Sequence, residues 1–196
     1  MSIKTVACML AMTMLLGGVA LGADRYDVDP VHTTVGFSIA HLVISRVPGK
    51  FVDIAGTILY DEKDVTKSSV SGTIKVASIN TDNAKRDEHL RSPDFFDAAK
   101  FPEITFASKG VEKEGNVTVC VGTLTMKGVS REVRIAFAIL GKIKDPWGKT
   151  RIALEANLTV NRQDYGVAWS KVMEGGGLMV GNEVKISITA EAVRQP

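Results

Sequence analysis

Apolar and polar positions alternate through almost the whole chain beyond residue 24. Val35, Phe37 and Ile39 alternate with Gly36, Ser38 and Ala40; Val52, Ile54, Ile58 and Tyr60 alternate with Asp53, Ala55, Thr57 and Leu59. The same period of two returns at Val70, Ile74 and Val76, at Ile104 and Phe106, at Val117, Val119 and Val121, and at Val133, Ile135, Phe137 and Ile139. It ends with Ile152, Leu154, Ala156, Leu158 and Val160, then Val184, Ile186, Ile188 and Ala190. Such alternation predicts strands with one face in a core and the other toward water. Turn chemistry separates them at Val47-Pro48-Gly49, Lys113-Glu114-Gly115-Asn116, Lys127-Gly128, Asp145-Pro146-Trp147-Gly148 and Gly175-Gly176-Gly177.

About eight strands with mostly short connections imply an all-β antiparallel meander, folded as a sandwich or as a closed barrel. An eight-stranded barrel is just wide enough for one small ligand. Periodicity does not distinguish a filled interior from a hollow one. Gly56, Gly72 and Gly122 fall among inward candidates, and they leave room there either for a ligand or for a bend.

One stretch breaks the strand pattern. Asn83 to Pro102 carries Arg86, Asp87, His89 and Arg91, then Phe95, Phe96 and Phe101. Asp82 or Asn83 supplies a helix cap and Ser92-Pro93 a stop. The segment reads as a short helical cap on the barrel, and loading of an interior would require the cap to open. Arg86, Asp87 and His89 either meet a ligand's polar group by charge-assisted hydrogen bonds or fix the cap to the barrel.

The first residues have the character of a leader: Lys4, an apolar run from Val6 to Leu16, then small residues to Ala23. The run is too short to span a bilayer comfortably. Residues 1–23 are therefore expected to be a cleaved signal peptide, with residues 24–196 as one domain and the periplasm as its location. Without Lys4 the basic count falls from 24 to 23, against 22 acidic residues, a balance that makes no electrostatic case for nucleic acid or for an anionic membrane; no stable membrane insertion is expected. Cys120 alone survives processing, so no internal disulfide forms, and its apolar neighbours mark it as a small buried hydrophobe. His32, His41 and His89 show no metal-ligand spacing, no phosphate loop or nucleophile elbow is present, and no cofactor is implied.

An ordered set of motifs carries a resemblance. Asp29-Pro30-Val31-His32-Thr33-Thr34-Val35-Gly36-Phe37 comes first, then Gly49-Lys50-Phe51 and Ser78-Ile79-Asn80-Thr81. Arg86-Asp87-Glu88-His89-Leu90-Arg91-Ser92 is followed by Asp94-Phe95-Phe96 and Phe101-Pro102. Gly122-Thr123-Leu124-Thr125-Met126-Lys127-Gly128 and Asn161-Arg162-Gln163-Asp164-Tyr165-Gly166 complete it. In order and spacing this resembles the YceI-like polyisoprenoid-binding family, with mild departures at Thr33, often Ser, and at Pro48, where a charged residue is more usual. The resemblance implies an exported, lipocalin-like eight-stranded barrel holding an isoprenoid or other fatty lipid, with no shared catalytic reaction.

An isoprenoid chain offers no hydrogen bonds, so apolar area must supply the affinity. Each five-carbon unit is worth on the order of 4 kcal/mol gross, against association and ordering costs that reach about 15 kcal/mol. The expected wall comprises Phe37, Ile39, Phe51, Ile58, Ile74, Phe95, Phe96, Ile104, Phe106, Leu124, Phe137, Leu154 and Trp169, with a polar mouth of Arg86, Asp87, His89 and His41. The rival reading is an enzyme that uses the same cavity, with His89, Asp87 or His41 as acid–base groups. A homodimer through exposed strand edges is allowed, though no pattern requires it.

Overall fold

The alternating segments close into a cylinder. The computed structural model describes residues 22–174 and 176–196; the expected leader lies outside them apart from Gly22 and Ala23. In chain order the elements are β1 (Asp24–Val28), β2 (Thr34–His41), β3 (Ser45–Phe51), β4 (Ile54–Tyr60), β5 (Ser69–Lys75), β6 (Ile79–Asn80), α1 (Ala84–Arg91), β7 (Glu103–Glu114), β8 (Val117–Met126), β9 (Val129–Lys144), β10 (Thr150–Asn161) and β11 (Val180–Arg194).

Eleven strands make eight antiparallel passes. β1 and β2 run along one edge of β11, β1 against Ala192–Arg194 and β2 against Val180–Thr189. Between them Pro30, which lacks an N–H, opens a 3-10 turn whose first residues are capped by the Asp29 carboxylate. β3 and β4 continue one another in the same way, β3 on β2 and β4 on β1. β5 and β6 form the third interrupted pass. The three interruptions lie side by side and form a crease across the sheet. Val52 N–H donates to Ser78 Oγ at 3.2 Å and Lys75 N–H to the Asp53 carbonyl at 3.0 Å. β7 to β11 are unbroken passes, and β1 against β11 closes the ring.

Two local expectations need correction. Val47-Pro48-Gly49 is not a turn but the middle of β3, opposite Phe37, Ser38 and Ile39. The reversal is at Leu42–Ile44, where Leu42 and Val43 take positive φ of 52° and 66°. Pro48 is tolerated because this stretch of β3 is an edge, paired to β2 alone. Gly49 is required by its neighbour, since a Cβ there would sit 2.2 Å from Phe37 Cζ. Val52 falls in the crease and is 56% exposed rather than inward.

One end of the cylinder is closed by Tyr26, Ile58, Ile152 and Ala192. The other carries α1 and a larger cluster in which Phe51, Ile79, Phe95, Met126, Val160 and Tyr165 are buried. Asn83 caps α1, its Oδ1 accepting from Arg86 N–H at 3.0 Å. The helix buries little apart from Asp87; Phe95 and Phe96, in the turn that follows it, wedge the cap against the barrel. Among the described residues no helix is long and apolar enough to cross a membrane.

Candidate functional site: an apolar cavity under a polar cap

A cavity of about 470 Å³ runs through the barrel, within the range of about 300–1,000 Å³ usual for small-molecule sites. All thirteen apolar residues expected on its wall are there. β2 supplies Phe37 and Ile39, β7 Ile104 and Phe106, and β11 adds Val184, Ile186 and Ile188, which the expected set omitted. Those three lie on a legible period-two stretch; which strands bound the hollow depends on how the ring closes.

The three glycines behave differently. Gly56 and Gly72 face each other across β4 and β5, both on the wall. A Cβ at Gly72 would meet nothing closer than the Ala55 carbonyl at 3.6 Å, so Gly72 contributes empty space, whereas one at Gly56 would meet the Ser71 carbonyl at 3.0 Å and Val28 Cγ2 at 3.1 Å. Gly122 leaves none: the Phe106 ring lies on it, 2.4 Å from where its Cβ would be.

The charged and imidazole side chains on the wall are His41, Arg86, His89 and Arg162, with no carboxylate among the described lining residues. All four belong to the cap end: the tip of β2, α1 and the turn after β10. Arg86 Nε donates to Thr81 Oγ1 and Nη2 to the Thr81 carbonyl, both at 2.7 Å. Asp87 is a correction to the expected mouth. It is buried and off the wall because its Oδ1 accepts from Thr81 N–H at 2.9 Å and Thr81 Oγ1 at 2.6 Å. Thr81 thus joins both residues to the end of β6. His89 bonds through Nε2 to Asp94 Oδ2 at 2.8 Å. Its ring stands edge-on to Phe95 and Trp169, with centroids at 5.0 and 5.4 Å.

Arg162, in the Asn161–Gly166 motif, joins the site although its position in the sequence carries no signal of it. It is 4% exposed and donates to the carbonyls of Gly181 at 2.8 Å and Val167 at 2.6 Å. No carboxylate pairs with it among the described residues, and burial pulls its pKa down. Cys120 also lines the wall, and burial pushes its thiol up to about 11. It therefore stays protonated and is a poor nucleophile. His32 stands apart, its Nδ1 bonded to Asp29 Oδ2 at 3.0 Å. Asp29, His32 and Glu191 come close enough for a shared ion, but Arg151 donates to both carboxylates, at 2.7 and 3.3 Å.

Residues 26–192 match the family model of the YceI-like domain. The chain belongs to the YceI-like family. It is 35% identical to protein YceI of Salmonella newport over 187 residues, 95% of each chain. The solved structure of the Campylobacter jejuni YceI protein is 33% identical, with a TM-score of 0.67 over 81% of this chain and 91% of that one. A domain from Saccharophagus degradans, described as polyisoprenoid-binding and implicated in plant cell wall breakdown, shares the fold at 15% identity. Its TM-score is 0.63 over 87% of this chain and 98% of that domain.

In this YceI-like chain the block from Arg86 to Ser92 acts largely as a fastening. Arg86 and Asp87 hold Thr81, Arg91 Nη1 reaches the Ala77 carbonyl at 3.2 Å, and Ser92 Oγ closes the helix on the His89 carbonyl at 2.7 Å. Leu90 and His89 face the cavity. The same helix both locks the cap and furnishes its ceiling.

Proposed function

We propose that the protein is a periplasmic carrier that withdraws an isoprenoid or similar long-chain amphiphile from water into the barrel, with no chemical step. The observation that carries this is the roughly 470 Å³ hollow with an apolar wall and its cationic and imidazole groups gathered at the cap end. The tail gains by area alone. At the cap end Arg86, His89 and His41 favour a headgroup that accepts hydrogen bonds, such as a phosphate, carboxylate or quinone oxygen. The Saccharophagus domain supports the fold that such a ligand uses. Export rests on the leader-like first residues.

Organic extraction of the purified protein followed by mass spectrometry tests the reading. A co-purifying prenyl or acyl lipid is expected, with its mass unchanged after prolonged incubation with the protein. A His89→Ala variant is expected to alter retention and not composition. An empty extract from a protein that also refuses added prenyl lipid overturns the carrier, and a mass-shifted product returns the site to the acid–base reading.

A further inference from the structure

Among the described residues, the cavity wall holds one permanent charge with no carboxylate paired to it. Asn161 Oδ1 accepts from Gln163 N–H at 3.0 Å and starts the 3-10 turn Arg162–Tyr165, and Gly166, at a φ of 71°, turns the chain back on itself. That reversal brings the Val167 carbonyl to Arg162 Nη1 at 2.6 Å, while Nε donates to the Gly181 carbonyl at 2.8 Å. Nη2 has only distant contacts, the Val180 carbonyl and Asn182 Oδ1, both at 3.4 Å. A guanidinium carries five N–H donors in a planar fork, so the two short bonds leave the rest without a close partner among the described residues.

The other cationic and imidazole groups on the wall are balanced. Arg86 Nε and Asp87 Oδ1 meet on the Thr81 hydroxyl, at 2.7 and 2.6 Å, so a carboxylate lies one hydroxyl away from that guanidinium. His89 has Asp94 at 2.8 Å, and His41, as an imidazole, can stay neutral. Arg162 has only amide oxygens around it. Neutral acceptors satisfy hydrogen bonds but do not cancel a buried charge, and burial alone lowers its pKa. Bridging carbonyls across a loop does not call for a cation, since any neutral N–H donor does that.

We infer that Arg162 recognises an anion, and that the guest is a long-chain acid, a carboxylate or phosphate on an apolar tail, in preference to a neutral quinone or alcohol. The inference rests on the carrier reading and narrows it. Arg162 lines the cavity, as does Val167, which holds it, and no carboxylate stands among the described lining residues to repel an acid. The arginine fork matches the paired oxygens of a carboxylate or phosphate, and such bonds strengthen in a dry, low-dielectric interior. A neutral headgroup would leave the charge as it stands.

The test is a titration of the purified protein, freed of lipid over a hydrophobic resin, with three guests of one tail: geranylgeranyl phosphate, geranylgeranoic acid and geranylgeraniol. Of the two tryptophans, Trp169 lines the cavity and Trp147 is 80% exposed, so Trp169 fluorescence reports binding in a Trp147→Phe background. The parent is expected to hold the acids about ten- to a hundredfold more tightly than the alcohol. Arg162→Met should erase that ratio with the alcohol's affinity kept within about twofold, and Arg162→Lys should restore part of it. Loss of a merely structural clasp would weaken all three guests alike. Arg162→Gln, which keeps an N–H donor for the carbonyls, replaces the methionine variant if that one does not fold.

A preference for either acid supports the inference, and the order of the two names the headgroup. An alcohol held by the parent as tightly as both acids overturns it and leaves the carrier standing. So does an acid preference that survives intact in the neutral variants, or displacement of the tailed phosphate by equimolar inorganic phosphate, which would assign the arginine to a free anion. A parent that binds none of the three guests fails the carrier reading itself, and the inference falls with it.

Discussion

Two glycines set how much room the barrel offers. Gly72 lies between inward Val70 and Ile74 with open space over it, whereas Gly122 lies under the Phe106 ring. A Gly72→Val variant should fold with unchanged or slightly greater stability, since valine suits a strand by up to about 1 kcal/mol. Its isopropyl group should cost tenfold or more in prenyl affinity (about 1.4 kcal/mol). Gly122→Val should instead destabilise by about 1–3 kcal/mol through overpacking. Paired denaturation and binding titrations check both. Arg151 poses a different balance, bridging Asp29, Asp145 and Glu191 at 2.7, 2.9 and 3.3 Å. Hydrogen bonding from Arg151, then from His32, lowers the Asp29 pKa to about 2, and Arg151 lowers that of Asp145 as well. A carboxylate depressed in the folded state stabilises above its unfolded pKa of roughly 4 and loses that contribution as pH falls. Arg151→Met should lower stability at neutral pH, and its deficit against the parent should shrink between about pH 4 and 2. Urea midpoints across that range measure it.

At the scale of elements, the cap is fastened by polar bonds and wedged by aromatics, so the two can be separated. Asp87→Ala removes the acceptor for Thr81 N–H and Oγ1, a local cost of about 1–3 kcal/mol. Hydrogen exchange should accelerate across residues 81–101 while β8 to β10 stay protected. Prenyl lipid should also dissociate faster. Equal protection in parent and variant would sink the view of this segment as a gate. The cap helix was legible in the sequence to within a residue because Asn83 and Ser92-Pro93 signal both ends locally. The β3 strand was not: Pro48-Gly49 carries the chemistry of a turn, and only the unpaired edge and the Phe37 ring, both tertiary facts, make it a strand. Asp87 was misplaced for the same kind of reason. Its spacing on the helix is visible in sequence, but its partner Thr81 faces it only after β6 docks.

For the whole molecule, alternation and short turns implied about eight antiparallel passes, and the wall residues on the strands followed because inward parity is written in each of them. Alternation showed neither closure nor the hollow, because both depend on which strands meet; only the family resemblance implied them. Arg162 shows the limit at the site. A lone arginine after a strand reads as surface, and only the carbonyls of Val167 and Gly181 turning back onto it make it buried.

The crease through Asp29–Thr33, Val52–Asp53 and Val76–Ser78 gives the cylinder two unequal flanks. Five continuous passes form a stiff trough; three jointed ones form a panel whose inter-segment seam is bridged by few bonds. We expect a bulkier guest to be accommodated by flexing of that panel alone. Since Arg91 ties the helix to the Ala77 carbonyl within the joint, any such flexing would pull directly on the lid's anchorage. Distances between spin labels placed on Leu59 and Thr73 (panel) and on Glu155 (trough) should then lengthen with guest size, while those between two sites on the trough stay constant.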